Sequence, residues 1–269
     1  MKTFSLILLA AALVGCSTVP PKETTTPSPA TPPAPGFKVP AGCEAILRTM
    51  GPGCPKPGQY GAVDLVARVD QKFLEAMACA GIRTVIKYYD YEGAETIPGK
   101  IPNAAEMAAL KAAGFAFMGV FQHNNNQAAT FTTARGKADA AAALRLATKW
   151  GQPDGSAIYF GADGDFSPSL VKPYFEAAAP AIRAAGYRVG VYGSGGVCKA
   201  LKAAGLVDGD LCMVAASSWA WNGTKAILAE GKGFALKQKV DIRGNQRCLG
   251  RSLDYNEVLL ADFGQWAVQ

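Results

Sequence analysis

Residues 156–193 read SAIYFGADGDFSPSLVKPYFEAAAPAIRAAGYRVGVYG. The stretch opens on an apolar run, Ser156 to Ala162, of the length and composition of a buried strand. A turn-forming segment with Asp, Gly, Ser and Pro follows, and then an amphipathic helical run from Ser169 to Ala185. Gly186 stops that helix, and Tyr187 to Tyr192 is a second strand. A helix that ends in Gly directly before a strand has a physical reason: Gly takes the left-handed C′ position without steric cost.

The same unit recurs on both sides. Strands are expected at Gly61–Leu65, Thr84–Tyr89 and Phe115–Phe121 before it, and at Leu211–Ala216, Phe234–Val240 and Arg251–Tyr255 after it. Helices are expected at Gln71–Ala80, Asn103–Ala113, Ala134–Trp150 and Val197–Ala204. Gly81, Gly114 and Gly151 repeat the stop at Gly186. About 200 residues of strand–helix alternation with roughly eight strands predict an α/β chain with a parallel sheet, closed as a (β/α)8 barrel of the TIM type. Degenerate helices are expected in its C-terminal third. No GxGxxG opens a helix after a strand, so a dinucleotide site has no anchor. Gly193-Ser-Gly-Gly196 can be read as an anion cradle or as a tight turn; it lacks the Lys of a P-loop.

The chain has 269 residues, of which 49% are hydrophobic and 18% charged, so it carries enough apolar surface for a sizeable core. A net charge of +6 without blocks of like charge argues against a nucleic-acid partner. The N-terminus has another role. Lys2 precedes an apolar run, Phe4 to Val14, too short to span a bilayer, which needs about 20 residues. It ends in Leu13-Val-Gly-Cys16 and resembles a bacterial lipoprotein signal peptide, which implies cleavage before Cys16, acylation of its thiol (palmitate among the acyl chains) and a membrane anchor. Ser17 after the Cys implies, by the sorting pattern of Gram-negative lipoproteins, the outer membrane, facing the periplasm or the cell surface. The expected organisation is signal peptide 1–15, acylated Cys and Pro/Thr-rich disordered tether 16–40, and barrel domain 41–269. At about 3.1 Å per residue the tether reaches about 70 Å. The six remaining Cys are even in number, as a disulfide framework in an oxidising compartment requires. Fifteen full pairings are possible, and Cys43–Cys54, adjacent in a Gly/Pro-rich segment, is the first expectation. With one His and no CxxC, no metal is expected, and no cofactor.

Chemistry concentrates at strand ends. In Ile158–Phe166, period-2 alternation sends Tyr159, Gly161, Asp163 and Asp165 to the lumen and Ile158, Phe160 and Ala162 to the helices. Asp163 and Asp165 then share one face, about 7 Å apart, at the C-terminal end of a central strand, where barrel active sites lie. Asp64 near the end of the first strand and Asp254 on the last complete a set of four candidate catalytic acids. Tyr89 and Tyr91 in the cluster Tyr88-Tyr-Asp-Tyr91, Tyr192, Trp219 and Trp221 are candidate sugar-stacking residues, and Gln122 and Gln238 candidate hydroxyl partners. His123 is the one residue on which a Ser-His-Asp triad could draw, and no GxSxG accompanies it. Asn222-Gly-Thr224 matches a glycosylation sequon, without meaning in a bacterial lipoprotein.

The pattern of Asp on strand one, Asp-x-acid on the middle strand and Asp on the last resembles the family-25 glycoside hydrolases, muramidases on a (β/α) barrel. Ala157-Ile-Tyr-Phe160 leading to Asp163, with Gly186-Tyr-Arg-Val-Gly-Val-Tyr-Gly193, is similar to a family of secreted bacterial glycoside-hydrolase-like domains of unestablished function. The resemblance spans about Tyr60 to Tyr255. It implies a cell-wall glycan, peptidoglycan, as partner, with Asp165 as acid and Asp163 as nucleophile or stabiliser. Family-25 enzymes carry Glu where this chain has Asp165, one methylene shorter, and a displacement of about 1 Å can cost about 10²-fold in rate. A non-catalytic glycan-binding lipoprotein and an envelope scaffold with a vestigial cleft stand beside the hydrolase reading.

Overall fold

The computed structural model describes residues 36–216, 219–239 and 247–269. The signal peptide, Cys16 and most of the tether lie outside the described residues, as does Val240 of the seventh expected strand.

Eight of the described strands close into a barrel. These are β1 (Ala62–Asp64), β2 (Thr84–Tyr89), β3 (Ala116–Phe121), β4 (Ala157–Gly161), β5 (Arg188–Gly193), β6 (Cys212–Ala215), β7 (Leu236–Lys239) and β10 (Asp254–Val258). β1 to β7 run parallel to one another in chain order, β3 pairing with β4. The helices are α1 (Cys43–Thr49), α2 (Gln71–Cys79), α3 (Ala104–Ala113), α4 (Thr133–Lys149), α5 (Pro168–Ala184), α6 (Gly195–Ala203) and α7 (Thr224–Glu230). The C-terminal third is degenerate as expected. α7 has seven residues, and the described chain between β7 and β10 holds a hairpin, β8 (Arg247–Cys248) with β9 (Arg251–Ser252), in place of a helix.

The last barrel strand departs from the expectation. It begins at Asp254 and runs antiparallel to both β1 and β7. Among the described residues no crossover helix follows β7, and β10 closes the ring from above. A further strand, β11 (Trp266–Ala267), adds antiparallel to the lower end of β3, and the Ala157 N–H donates to the Gly264 carbonyl beside it. The C-terminus thus plugs the gap where β3 and β4 diverge.

Alternation sorts the faces as read from the sequence. Register places Val120, Tyr159 and Gly190 side by side on the lumen face, while Phe121 and Phe160 point outward to α5 through Tyr174 and Phe175. Tyr159 fills the barrel floor, its hydroxyl donating to the Phe263 carbonyl at 2.8 Å. Gly190 makes room for it, since a Cβ there would lie 2.6 Å from the ring. The four helix-stopping glycines all have positive φ, between 65° and 89°. At Gly114 the requirement is double, because a Cβ would also lie 2.5 Å from the Gly36 carbonyl oxygen. α3 starts with a capping box between Asn103 and Glu106. Gly193-Ser-Gly-Gly196 is a tight turn: the Ser194 side chain caps α6, the Gly195 N–H donates to Thr224 and the Gly196 N–H to the Asn222 carbonyl.

The disulfides are Cys43–Cys79, Cys54–Cys248 and Cys198–Cys212, so the expected Cys43–Cys54 pair does not form. Cys43 opens α1 and bonds Cys79 at the end of α2, whereas the loop after α1 carries Cys54 to the β8–β9 hairpin. No helix among the described residues is long and apolar enough to cross a membrane.

Candidate active site at the barrel mouth

β1 ends in Asp64, which is buried and accepts hydrogen bonds from Tyr88 (3.0 Å), Gln238 (3.1 and 3.0 Å, one to each oxygen) and Asn256 (2.8 Å). These donors come from β2, β7 and β10, so closure of the barrel itself assembles the set. Burial pushes the Asp64 pKa above the ordinary carboxylate value; the three donors oppose that, and the charge of Asp163 adds to it. Asp254 stands directly opposite Asp64 in the antiparallel register. Because β10 runs downward, its first residue lies at the mouth, where a parallel strand would have placed its last.

Asp163 lies two residues beyond β4. Its main-chain N–H donates to the Asn125 carbonyl at 2.9 Å, its Oδ2 accepts from the Gln122 amide at 2.7 Å, and the Tyr192 hydroxyl stands 3.5 Å from its Oδ1. Burial raises its pKa above the ordinary value; Gln122, Tyr192 and the nearby Lys100 charge lower it, without cancelling the effect. Burial likewise keeps Tyr88 and Tyr192 as neutral phenols well beyond their usual range. Beneath the two acids, Asp64, Ile86, Tyr88, Val120, Tyr192, Met213 and Gln238 enclose a cavity of about 10 Å³, the size of one water. Among the described residues, the buried Oε1 of Gln238, which lines this cavity, and the buried Oδ1 of Asn256 have no hydrogen-bond donor.

Asp165 does not join this group. The strand ends at Gly161, and the Gly164 N–H turns back onto the Ala162 carbonyl at 2.9 Å, so alternation stops before Asp165. Asp165 is exposed and accepts the Asn222 N–H at 2.8 Å, on the loop before α7. The carboxylate that feels Asp163 is Asp64, across the barrel. Tyr89 is also elsewhere: it points outward, fully buried against Phe117, and its hydroxyl donates to Gln152 at 2.9 Å. Tyr91 lies outside the barrel wall, donating to Asp139 of α4. Trp219 packs edge-on against Tyr192 with ring centres 6.2 Å apart, and Trp221 is 76% exposed on the rim.

Three further residues belong to the mouth. Tyr88 and Asn256 hold Asp64; Asn256 was visible as the residue two beyond Asp254, on the same face. Lys100 gave no sequence signal, lying in a loop between Pro98 and Pro102. Its buried ammonium donates to the Gln122 carbonyl and to Thr96, lies 3.6 Å from Asp90 and 5.1 Å from the centre of the Tyr88 ring. It therefore holds the main chain of the residue whose side chain holds Asp163. Asp90 in turn is fixed by the Tyr91 and Thr96 N–H groups and meets His123 Nδ1 at 2.5 Å.

Residues 75–246 match the family model described as Rv2525c-like, glycoside hydrolase-like domain. The fold is similar to that of the Tat-secreted protein Rv2525c of Mycobacterium tuberculosis, solved with HEPES, at 22% identity and a TM-score of 0.60 over 77% of this chain and 98% of that one. A second structure of that protein, with L-tartrate, gives 20% identity and 0.59 over the same shares. An uncharacterized B. stearothermophilus protein gives 14% identity and 0.51, covering 73% of this chain and 94% of that one. Comparison with the curated proteins gives no match.

Proposed function

The chain belongs to the Rv2525c-like, glycoside hydrolase-like family, and from that premise we propose that it is an envelope-anchored lipoprotein that hydrolyses a cell-wall glycan, peptidoglycan, by carboxylate acid–base chemistry at the barrel mouth. The observation that carries the reading is the placement of two carboxylates at the mouth, Asp64 at the end of β1 and Asp163 two residues beyond β4, each held by side chains from other parts of the barrel. Glycoside hydrolysis needs one carboxyl that delivers a proton and one that stays anionic beside the oxocarbenium-like transition state.

The surroundings divide the roles. Asp163 is the acid: Gln122 engages its Oδ2, leaving Oδ1 with the longer contact to Tyr192 and open to a leaving oxygen. Asp64 is the stabiliser, because both of its oxygens accept from neutral donors that favour the ionised form. Asp254 adds a further acid opposite it, and Trp219, Trp221 and Tyr192 offer stacking surface. Asp165, the acid expected from the sequence, is too exposed and too well occupied by the Asn222 N–H for that role. Three disulfides support an oxidising compartment outside the cytoplasm, in keeping with an anchor at Cys16 in the cell envelope.

The displacement of Asp165 also favours a second reading, a glycan-binding lipoprotein whose cleft has lost the central pair of acids. Incubation with purified peptidoglycan separates the two. The hydrolase reading expects new reducing ends from wild type, a loss of at least about 10²-fold in Asp163→Asn, and near-wild-type activity in Asp165→Asn. Sedimentation of an inactive wild type with the glycan would establish the binding protein instead.

A further inference from the structure

Beside the mouth, Tyr91, Asn124, Gln127, Thr130, Thr132 and Arg135 line an open groove of about 490 Å³. The loop between β3 and α4 is its shared wall with the mouth. Gln122 of that loop holds Asp163, and the Asn125 carbonyl accepts the Asp163 N–H. Asn124 and Gln127 face the groove. A chain molecule bound at Asp163 therefore has this groove as a neighbour.

Arg135 supplies the one charged side chain of the lining, and it is held in advance. Its Nε donates to Asp139 Oδ1 at 2.7 Å, its Nη2 to the His123 carbonyl at 3.1 Å, and its guanidinium lies 5.2 Å from the centre of the Tyr91 ring. Asp139 is fully buried and accepts from the hydroxyls of Tyr91 (2.6 Å) and Tyr174 (2.8 Å), so it cannot swing away. Among the described residues, Arg135 Nη1 has no partner. A guanidinium whose inner edge is fixed by a buried carboxylate presents its outer edge to an incoming anion at little entropic cost. The remaining polar lining groups are amides and hydroxyls, set among the methyls of Ala129, Ala134 and Ala138, a mixture suited to peptide or acetamido groups.

We propose that this groove is a second binding site, in which Arg135 takes a carboxylate carried by the glycan's peptide substituent while the sugar occupies the mouth. The identity of the ligand rests on the glycan reading of the mouth; the preference for a carboxylate does not.

The test is calorimetric titration of the full chain, carrying Cys16→Ser for solubility, with N-acetylmuramyl-L-alanyl-D-isoglutamine and with its uncharged amide. Wild type should bind the acid more tightly than the amide. Arg135→Gln should weaken the acid by about tenfold or more, the scale of a lost charge-assisted hydrogen bond, and leave the amide within about twofold. Arg135→Lys keeps Asp139 paired, covers the case of an unfolded Gln variant, and should still lose several-fold because a point charge replaces the fork. Equal binding of acid and amide by wild type, equal weakening of both by Arg135→Gln, or no binding of either probe overturns the proposal. An acid preference that survives Asp163→Asn in a protein that never hydrolyses glycan supports the groove and refutes the hydrolytic mouth. Hydrolysis lost in Asp163→Asn without any acid preference does the reverse.

Discussion

Removing the disulfides one pair at a time should rank them by the chain they close. Cys54–Cys248 spans 194 residues, Cys43–Cys79 spans 36 and Cys198–Cys212 spans 14. On the loop-closure relation, constraining the unfolded chain over these lengths contributes about 5, about 4 and about 3 kcal/mol. Packing works against this order: Cys198 and Cys212 are both buried, whereas Cys54 is partly exposed. Deleting buried sulfur costs on the order of 1 kcal/mol, less than the roughly 2 kcal/mol that separates the longest loop from the shortest. Cys54→Ala/Cys248→Ala is therefore expected to destabilise most. The assay is equilibrium urea unfolding without reductant, followed by tryptophan fluorescence, with the slope checked for a two-state transition. An excess of reductant should erase the differences. Equal losses for the three pairs, or the greatest loss for Cys198–Cys212, would refute chain entropy as the governing term and leave local packing in its place.

Asp163→Asn should stabilise the protein at neutral pH while abolishing its chemistry. Burial makes the folded state bind the Asp163 proton more tightly than the unfolded state does, so stability falls as pH rises from the ordinary value of 3.8 through the raised one; thermal melts of both proteins should diverge above that window and converge below it. Gly190→Ala should cost about 1–3 kcal/mol, because the new methyl meets a Tyr159 ring whose hydroxyl is tied to Phe263; an unchanged melting temperature would show that the floor can repack. Asp165→Glu restores the acid length of the family-25 pattern but from an exposed turn, so peptidoglycan assays should find no gain; a rise of tenfold or more, on the order of 1.4 kcal/mol in barrier, would return Asp165 to the site.

The barrel was legible because its signals are local and repeated. Apolar runs alternate with amphipathic ones, and glycines stop the helices where a left-handed residue is needed. The same local logic failed at two places. Alternation was extended from β4 through Asp165, although Gly164 lies between and lets the chain turn; the period of two holds only while the strand lasts. The direction of the last strand depends on whether a crossover precedes it, and a hairpin such as β8–β9 is too short to announce its absence. Gln122 and Gln238 were singled out as sugar partners from their position at strand ends. They lie at those ends, and what they hold are the carboxylates Asp163 and Asp64. Lys100 and Asp90 escaped notice because their roles come from contacts across loops, which no spacing encodes. The expected Cys43–Cys54 pair fails for a related reason, although the six cysteines do form a disulfide framework: proximity in sequence is a poor guide when a helix and a loop lead the two cysteines to different neighbours.

On the proposed reading, the mouth keeps the outline of a two-acid hydrolase while changing which acids form the pair. In the expected arrangement both acids sit on one strand and their separation is set by the pleat. In the proposed pair one acid lies two residues beyond β4 and the other ends β1, so their separation depends on barrel closure, and each is held by residues from elsewhere in the barrel: Gln122 and Tyr192 for Asp163, and Tyr88, Gln238 and Asn256 for Asp64. Such a pair is held from several sides, because displacing either acid breaks hydrogen bonds to side chains from other elements. Anchoring of this kind favours a fixed division into donor and stabiliser over a nucleophile that must advance on the sugar. The loop that fixes Asp163 is itself held from behind by Lys100 and bordered on its other side by the Arg135 groove. Occupation of the proposed groove and the placement of Asp163 are thus properties of one loop, and a ligand that engages both has a physical route to act on the chemistry proposed for the mouth.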